Sequence, residues 1–345
     1  MKTMKRIECV DVLRGMTMAF MLVVDKPGCK PFAPLEHALW NGMTPTDIIF
    51  PTFVFVMGVS MFLSMSRSGF HLSWKVLKRF LLLFGIGLVC NWISKGVFRG
   101  TWGLEGIRAM GILQRLALCY GISALIVCTV PHKWTGWTVS AILVAYGALL
   151  LLGKGYVYGP ENILARVDAA ILGPGHVYRL DNGIDPEGIL STLPAVAHTL
   201  IGFIVGKWLV NKDFRRMDTA AALMLSGGLL LLWILPLNKK VWSPSFVLVA
   251  CGIATLLLSA FHYLIDEKGV WKHTGFWKVF GSNAILCFLL CNVIVWAMHA
   301  SGWKAAVMGA VGSTPWTSLL YALCGVLAIY LVVLPLYRRK IFIRL

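Results

Sequence analysis

Residues 25–58, DKPGCKPFAPLEHALWNGMTPTDIIFPTFVFVMG, leave one apolar segment, cross a short polar loop and enter a second apolar segment. The loop places His37 beside Trp40, Asn41 and Gly42, with Asp25 before it and Asp47 after it. An imidazole titrates near neutral pH, so His37 can serve as a general base or as the nucleophile of an acyl transfer. The plainer alternative is an interfacial histidine bonded to a loop carbonyl. Asp25 could orient the imidazole and stabilise its protonated form, or pair with Lys26 at a membrane boundary. Asp47 stands in T-P-T-D, where an acidic residue also suits the first turn of a helix and its dipole.

Other residues could carry chemistry further along. Asp11 and Arg14 are three apart in D-x-x-R-G, on one helical face, where they can pair. Arg14 could instead hold a phosphate arriving from the cytoplasm. Arg115 follows Gln114 inside an apolar segment, and an arginine at that depth faces protein or water and is a site candidate. Asn162, Asp168, His176, Asp181, Asp185, Glu187 and Trp242 fall in loops on the His37 side and could bind a sugar, although interfacial tryptophan is commonly a membrane anchor. His198 and Asn283 read as hydrogen-bonded packing residues.

These residues need a scaffold, and composition names it. The 345 residues are 58% hydrophobic and only 14% charged, against about a quarter charged in soluble domains. Apolar runs of roughly 18–22 residues recur, the length that crosses a bilayer. The chain therefore reads as an all-α polytopic membrane protein in a lipid bilayer. The net charge of +17 sits in short basic runs between apolar segments: Lys2, Lys5 and Arg6; Arg67, Lys75, Lys78 and Arg79; Lys212, Arg215 and Arg216; Arg338, Arg339 and Lys340. That is the positive-inside pattern, not a nucleic-acid footprint. The nine cysteines form no CxxC and no Cys/His spacing that suggests a metal.

About ten helices follow, near 9–25, 46–65, 76–94, 107–129, 135–152, 188–210, 217–235, 246–264, 279–299 and 317–336, with both termini cytoplasmic. The first is read as uncleaved, because Asp11 and Arg14 interrupt it. Pro45 suits a first helical turn. The long loop 153–187 carries helix-like stretches between Gly/Pro turns and should be ordered. The whole chain, 1–345, reads as one domain without internal repeats. No Walker motif, G-x-G-x-x-G or G-x-S-x-G occurs.

The motifs D-V-L-R-G (11–15), H-A-L-W-N-G-M-T-P-T-D-I-I-F-P-T-F-V-F-V-M-G (37–58), G-I-L-Q-R-L-A-L-C-Y (111–120), L-G-P-G-H-V-Y ending at Tyr178, D-P-E-G-I-L-S-T-L-P (185–194), L-N-K-K-V-W-S-P-S (237–245) and F-G-S-N-A (280–284) run in order along most of the chain. Together they resemble the heparan-α-glucosaminide N-acetyltransferase family of transmembrane enzymes and its bacterial homologues. The resemblance implies an acyltransferase of a bacterial inner membrane, using acetyl-CoA and no metal, and leans towards a homodimer. It implies His37 as the catalytic histidine. The chain is expected to open at the first helix, without the large luminal segment of the lysosomal member. The family commonly has an asparagine where this chain has Asp25. An amide can donate to a thioester carbonyl or oxyanion; an ionised Asp25 cannot, and would act only if protonated or by pairing with His37.

The expectation is thus acetyl transfer from cytoplasmic acetyl-CoA to the amine of a glucosamine-type sugar at the periplasmic face. His37, Asp25 and Asp47 would be catalytic. Arg14, Arg115 and Gln114 would hold the cofactor. Trp40, Asn41, His176, Asp185, Glu187 and Trp242 would hold the acceptor. The rivals are a sugar transporter, which should show broken helices at matching positions of two half-repeats, and an O-acetyltransferase acting on a glycan hydroxyl.

Overall fold

Segments that are apolar on every face leave no polar stripe for water, so each must pack against its neighbours or against lipid. The computed structural model describes residues 7–25, 28–178 and 180–343, and its regular elements there are all helical. The basic lead Lys2, Lys5 and Arg6, and the Asp25–Lys26 pairing, lie outside the described residues in whole or in part. The α-helices are α1 (Glu8–Val24), α2 (Pro45–Ser68), α3 (Trp74–Arg99), α4 (Ile112–Thr129), α5 (Thr135–Leu152), α6 (Ile163–Leu172), α7 (Thr192–Val210), α8 (Phe214–Leu230), α9 (Pro244–Phe261), α10 (Gly275–Ser282), α11 (Ala284–Ala300), α12 (Trp303–Val311) and α13 (Pro315–Arg338).

Among the described residues, seven helices are long and apolar enough to cross a membrane, or eight if the bent pair α10–α11 is one span. The α1 and α8 helices occupy two more of the expected segments but are 17 residues each. The long loop is ordered around α6, whose Asn162 cap accepts from the Leu164 N–H at 2.9 Å and donates to the carbonyls of Gly155 and Val157.

Two close approaches fix the interior. A Cβ on Gly58 of α2 would fall 2.0 Å from the Thr199 carbonyl, and one on Gly202 of α7 would fall 2.2 Å from that of Phe55. Small residues here let two backbones touch, the usual device where lipid removes the hydrophobic drive between helices. The second approach joins two of the motifs. A Cβ on Gly15 would lie 1.8 Å from the Trp277 carbonyl, and one on Gly281 would lie 2.1 Å from that of Asp11. D-V-L-R-G and F-G-S-N-A are therefore the two sides of the α1–α10 contact.

The break between α10 and α11 bends the pair by 82°. It falls at Asn283, whose Nδ2 donates to the Ile341 carbonyl and whose Oδ1 accepts from the Ile343 N–H at 2.8 Å. The expected packing role of Asn283 is met by the segment after α13. Trp74, Trp134 and Trp137 are exposed at one end of the bundle, and Trp102, Trp233, Trp303 and Trp316 at the other. Indoles at two levels match membrane–water interfaces. His37 sits at the second level, with the loops before α4, between α5 and α7, and before α9.

Candidate active site

The site begins at the start of α2. Pro45 occupies the first turn and Asp47 turns back to cap it: its Oδ2 accepts from the N–H groups of Thr44 (3.0 Å) and Ala38 (3.1 Å) and from the Thr44 hydroxyl. The other oxygen, Oδ1, lies 2.7 Å from Nδ1 of His37. The cap and the histidine partner are one carboxylate, so the structural and chemical readings of Asp47 both hold. Asp47 is 1% exposed at its side chain and His37 44%. The imidazole is thus anchored at Nδ1 on a buried acid, while Nε2 has no protein partner among the described residues. The carboxylate that meets His37 is Asp47 and not Asp25.

Lys239, in the turn before α9, completes the group. Its Nζ lies 3.0 Å from His37 Nδ1 and 3.3 Å from Asp47 Oδ1. Burial pushes the Lys239 ammonium below its ordinary range, against the pull of Asp47, Asp25 and Glu187. Asp25 and Glu187 therefore act on the same centre through Lys239. Lys239 was not among the candidates from the sequence, although L-N-K-K-V-W-S-P-S contains it. Nothing local marks a lysine whose partner lies 202 residues away.

Around this centre three loops interlock. The Trp40 indole N–H donates to the Tyr156 carbonyl at 2.8 Å, and its ring lies 4.8 Å from that of Tyr158. Asn41 Oδ1 accepts from Asn238 Nδ2, and the Gly42 N–H donates to the Leu237 carbonyl at 2.7 Å. The Tyr158 hydroxyl donates to Asp181, which also receives Lys240. Trp40, Asn41 and Tyr158 form a partly open aromatic and amide surface beside His37.

Several other candidates are engaged by the scaffold. Asp185 is fully buried; its oxygens accept from Arg108, from the Tyr178 N–H and from the Glu187 N–H. Arg108 also bridges to Glu187 and lies over the Tyr178 ring. Burial works against the Arg108 charge, but Glu187 and Asp185 outweigh it and hold the guanidinium above its usual range. His176 Nδ1 bonds the Ile107 carbonyl at 2.7 Å, tying the long loop to the turn before α4. Asp168 receives the Ile189 and Leu190 N–H groups on one oxygen, leaving Oδ2 without a partner among the described residues. Burial pushes the Asp168 carboxyl up to about 6.

The interior holds the remaining polar residues. Arg115 is 0% exposed; its Nη2 donates to the Gly188 carbonyl and Ser191 hydroxyl, while Nε and Nη1 have no partner among the described residues. Its guanidinium lies 5.0 Å from the ring of Trp242. Trp242 is 1% exposed, so it is a core residue and not a membrane anchor. Gln114 Nε2 and Trp242 Nε1 are likewise buried without a protein partner among the described residues. At the opposite end, Arg14 bonds Asp11 at 2.5 Å and the Gly281 carbonyl at 2.7 Å, so the expected i,i+3 pair forms and the same arginine latches α10. The structure thus gathers His37, Asp47, Trp40 and Asn41, with Asp25 and Glu187 around Lys239. It separates them from Arg14, and it places Arg115, Gln114 and Trp242 in the core.

Fold and site together define an all-α polytopic membrane protein that carries a carboxylate-held histidine at one mouth of its helical bundle. The chain belongs to the heparan-alpha-glucosaminide N-acetyltransferase family: the family's catalytic region, described as "Heparan-alpha-glucosaminide N-acetyltransferase, catalytic", matches residues 6–234. It is similar to the heparan-alpha-glucosaminide N-acetyltransferase of Mus musculus, 28% identical over 350 residues that cover 82% of this chain and 53% of the relative. The Homo sapiens protein of the same name is 28% identical over 353 residues, covering 82% and 52%. The chain spans about half the length of these curated relatives.

Proposed function

We propose that this protein moves an acetyl group from acetyl-CoA to the amine of a glucosamine-type sugar, at the membrane face that carries His37. The observation that carries this reading is the His37–Asp47 contact: a half-exposed imidazole fixed at Nδ1 by a buried carboxylate, with Nε2 turned to chemistry. Acetyl-CoA would supply the acyl group as an activated thioester. His37 Nε2 would take the proton of the amine as the new N–C bond forms and the thioester C–S bond breaks, and would pass that proton to the departing CoA thiolate; in a two-step route the ring nitrogen would displace the CoA thiolate, carry the acetyl group and then yield it to the amine. Asp47 would hold the tautomer and offset the positive charge that the ring gains.

Trp40, Asn41 and Glu187 would line the acceptor side, with His176, Asp185 and Trp242 holding its walls. Arg115 and Gln114 bring buried N–H donors without protein partners among the described residues, chemistry that fits the carbonyl and phosphate oxygens of an acyl-CoA. A narrow apolar seam lined by Met18, Met21, Phe50, Phe53, Phe288 and other apolar residues would suit its methylene portions. Arg14, at the opposite end, would face the nucleotide. In this reading α1 and α8 also cross, which gives ten spans with both ends in the cytoplasm, His37 facing the periplasm of a bacterial inner membrane, and a homodimer as the assembly. The transport reading needs paired broken helices; among the described residues only the α10–α11 span is broken.

The test is transfer by the purified protein in detergent, with acetyl-CoA and either glucosamine or its hydroxyl-only counterpart glucose, read by mass spectrometry, and with calorimetry of acetyl-CoA binding alongside. Wild type should acetylate the amine alone, and His37→Ala should bind acetyl-CoA but not turn over. Near-normal turnover by His37→Ala, or no binding by a folded wild type, would overturn the reading.

A further inference from the structure

His37 Nδ1 meets two groups at once, Asp47 Oδ1 at 2.7 Å and Lys239 Nζ at 3.0 Å. A neutral imidazole nitrogen offers either one N–H or one lone pair, so these contacts compete. With hydrogen on Nδ1, the ring donates to Asp47 and Nε2 carries the lone pair. With an ammonium donating to Nδ1, the hydrogen moves to Nε2, which becomes a donor. Asp47 alone would favour the imidazolium, the form that cannot accept a proton or attack a carbonyl. Lys239 is the cation placed to oppose it.

We propose that Lys239 is a positioning residue for His37: its charge cancels that of Asp47 at Nδ1, keeps the ring neutral and lets it release a proton it has taken. The charged groups around the trio come from five parts of the chain. Asp47 belongs to α2, Lys239 to the turn before α9, Asp25 follows α1, and Glu187 with its Arg108 partner comes from the loops flanking α7 and α4. Burial works against the Lys239 ammonium and is the larger effect, and Asp47, Asp25 and Glu187 oppose it. The catalytic purpose of this arrangement rests on the acetyl-transfer reading; the arrangement itself does not.

The test uses diethyl pyrocarbonate, which reacts with neutral imidazole, on the full chain in detergent. The rate at which His37 is modified is followed by peptide mass spectrometry from pH 5 to 8. Exposed His71 serves as the internal standard. In Lys239→Gln the midpoint of His37 reactivity should rise by about 1 pH unit, the scale of removing one cation beside a titrating group. Lys239→Arg should restore the wild-type midpoint. An unchanged midpoint in Lys239→Gln overturns the proposal. A second measurement needs no variant: ¹⁵N spectra of histidine-labelled wild type should show a neutral His37 ring at pH 7.5, and a persisting imidazolium there overturns it as well. Neither experiment needs acetyl-CoA or an acceptor. A protein that shows the shift but transfers nothing would lose the acetyltransferase reading alone, and one that transfers without the shift would lose this inference alone.

Discussion

His37 and Asp47 meet at 2.7 Å across the boundary between a loop and a helix, and the same carboxylate that caps the helix orients the ring. Asp47→Asn keeps an oxygen for the Thr44 and Ala38 N–H groups but removes the charge and the tautomer preference. Turnover should fall by about 10²–10⁴-fold, the range for losing the orienting acid of a general base. Size-exclusion elution should match wild type. A loss below about threefold would mean that the contact is only a cap.

Trp40 holds the first loop to the long loop through the Tyr156 carbonyl and presents a face beside Tyr158. Trp40→Ala should raise the acceptor KM by roughly tenfold, with kcat within about threefold, as expected when a contact binds ground and transition states alike. Trp40→Phe keeps the ring and loses the N–H, and should fall between the two. Initial rates against glucosamine concentration decide this.

Arg108 is the counter-charge of fully buried Asp185, whereas its second partner Glu187 is 18% exposed at its side chain. Arg108→Met should cost about 3–5 kcal/mol by stranding a buried carboxylate. Glu187→Gln should cost far less, since water reaches that end. Thermal midpoints in one detergent give the comparison, and equal losses would contradict it.

Asp168 binds its proton more tightly in the folded protein, because burial raises its carboxyl from an ordinary value near 4 to about 6. The stabilisation from that proton is complete below pH 4 and is lost as pH rises through 6. Asp168→Asn removes the ionisation and keeps an acceptor for Ile189 and Leu190. Its thermal midpoint should equal wild type near pH 4 and exceed it by pH 7, with a gap of up to about 3 kcal/mol. A gap that does not grow with pH would point to another partner for Oδ2.

The residues legible from sequence were those whose partners are near in the chain. Asp11 and Arg14 are three apart, so spacing alone brings that pair within reach; for His37 the sequence offered Asp25 as the orienting acid, and only the folded loop shows that Asp47 is its partner. The membrane class was legible because it follows from bulk hydropathy. Lys239 was not, since its role exists only once the turn before α9 folds over the first loop. Trp242 carried a sequence signal that suits two environments, a membrane interface and a buried ring, and only packing against Arg115 and Phe50 separates them. Arg14 kept a second acceptor hidden at Gly281, 267 residues away. Local spacing encodes the short contacts, and long-range closure supplies the rest.

The latch at Asn283 bears on how the protein is made. The groups that satisfy its side chain come from residues 341 and 343, about sixty positions later. At roughly 5–20 residues per second, translation needs about 3–12 s to deliver them. During that interval the elbow between α10 and α11 exists without its clasp, with an amide that has nothing to hold. Closure of this part of the bundle therefore waits until residues 341–343 have been made.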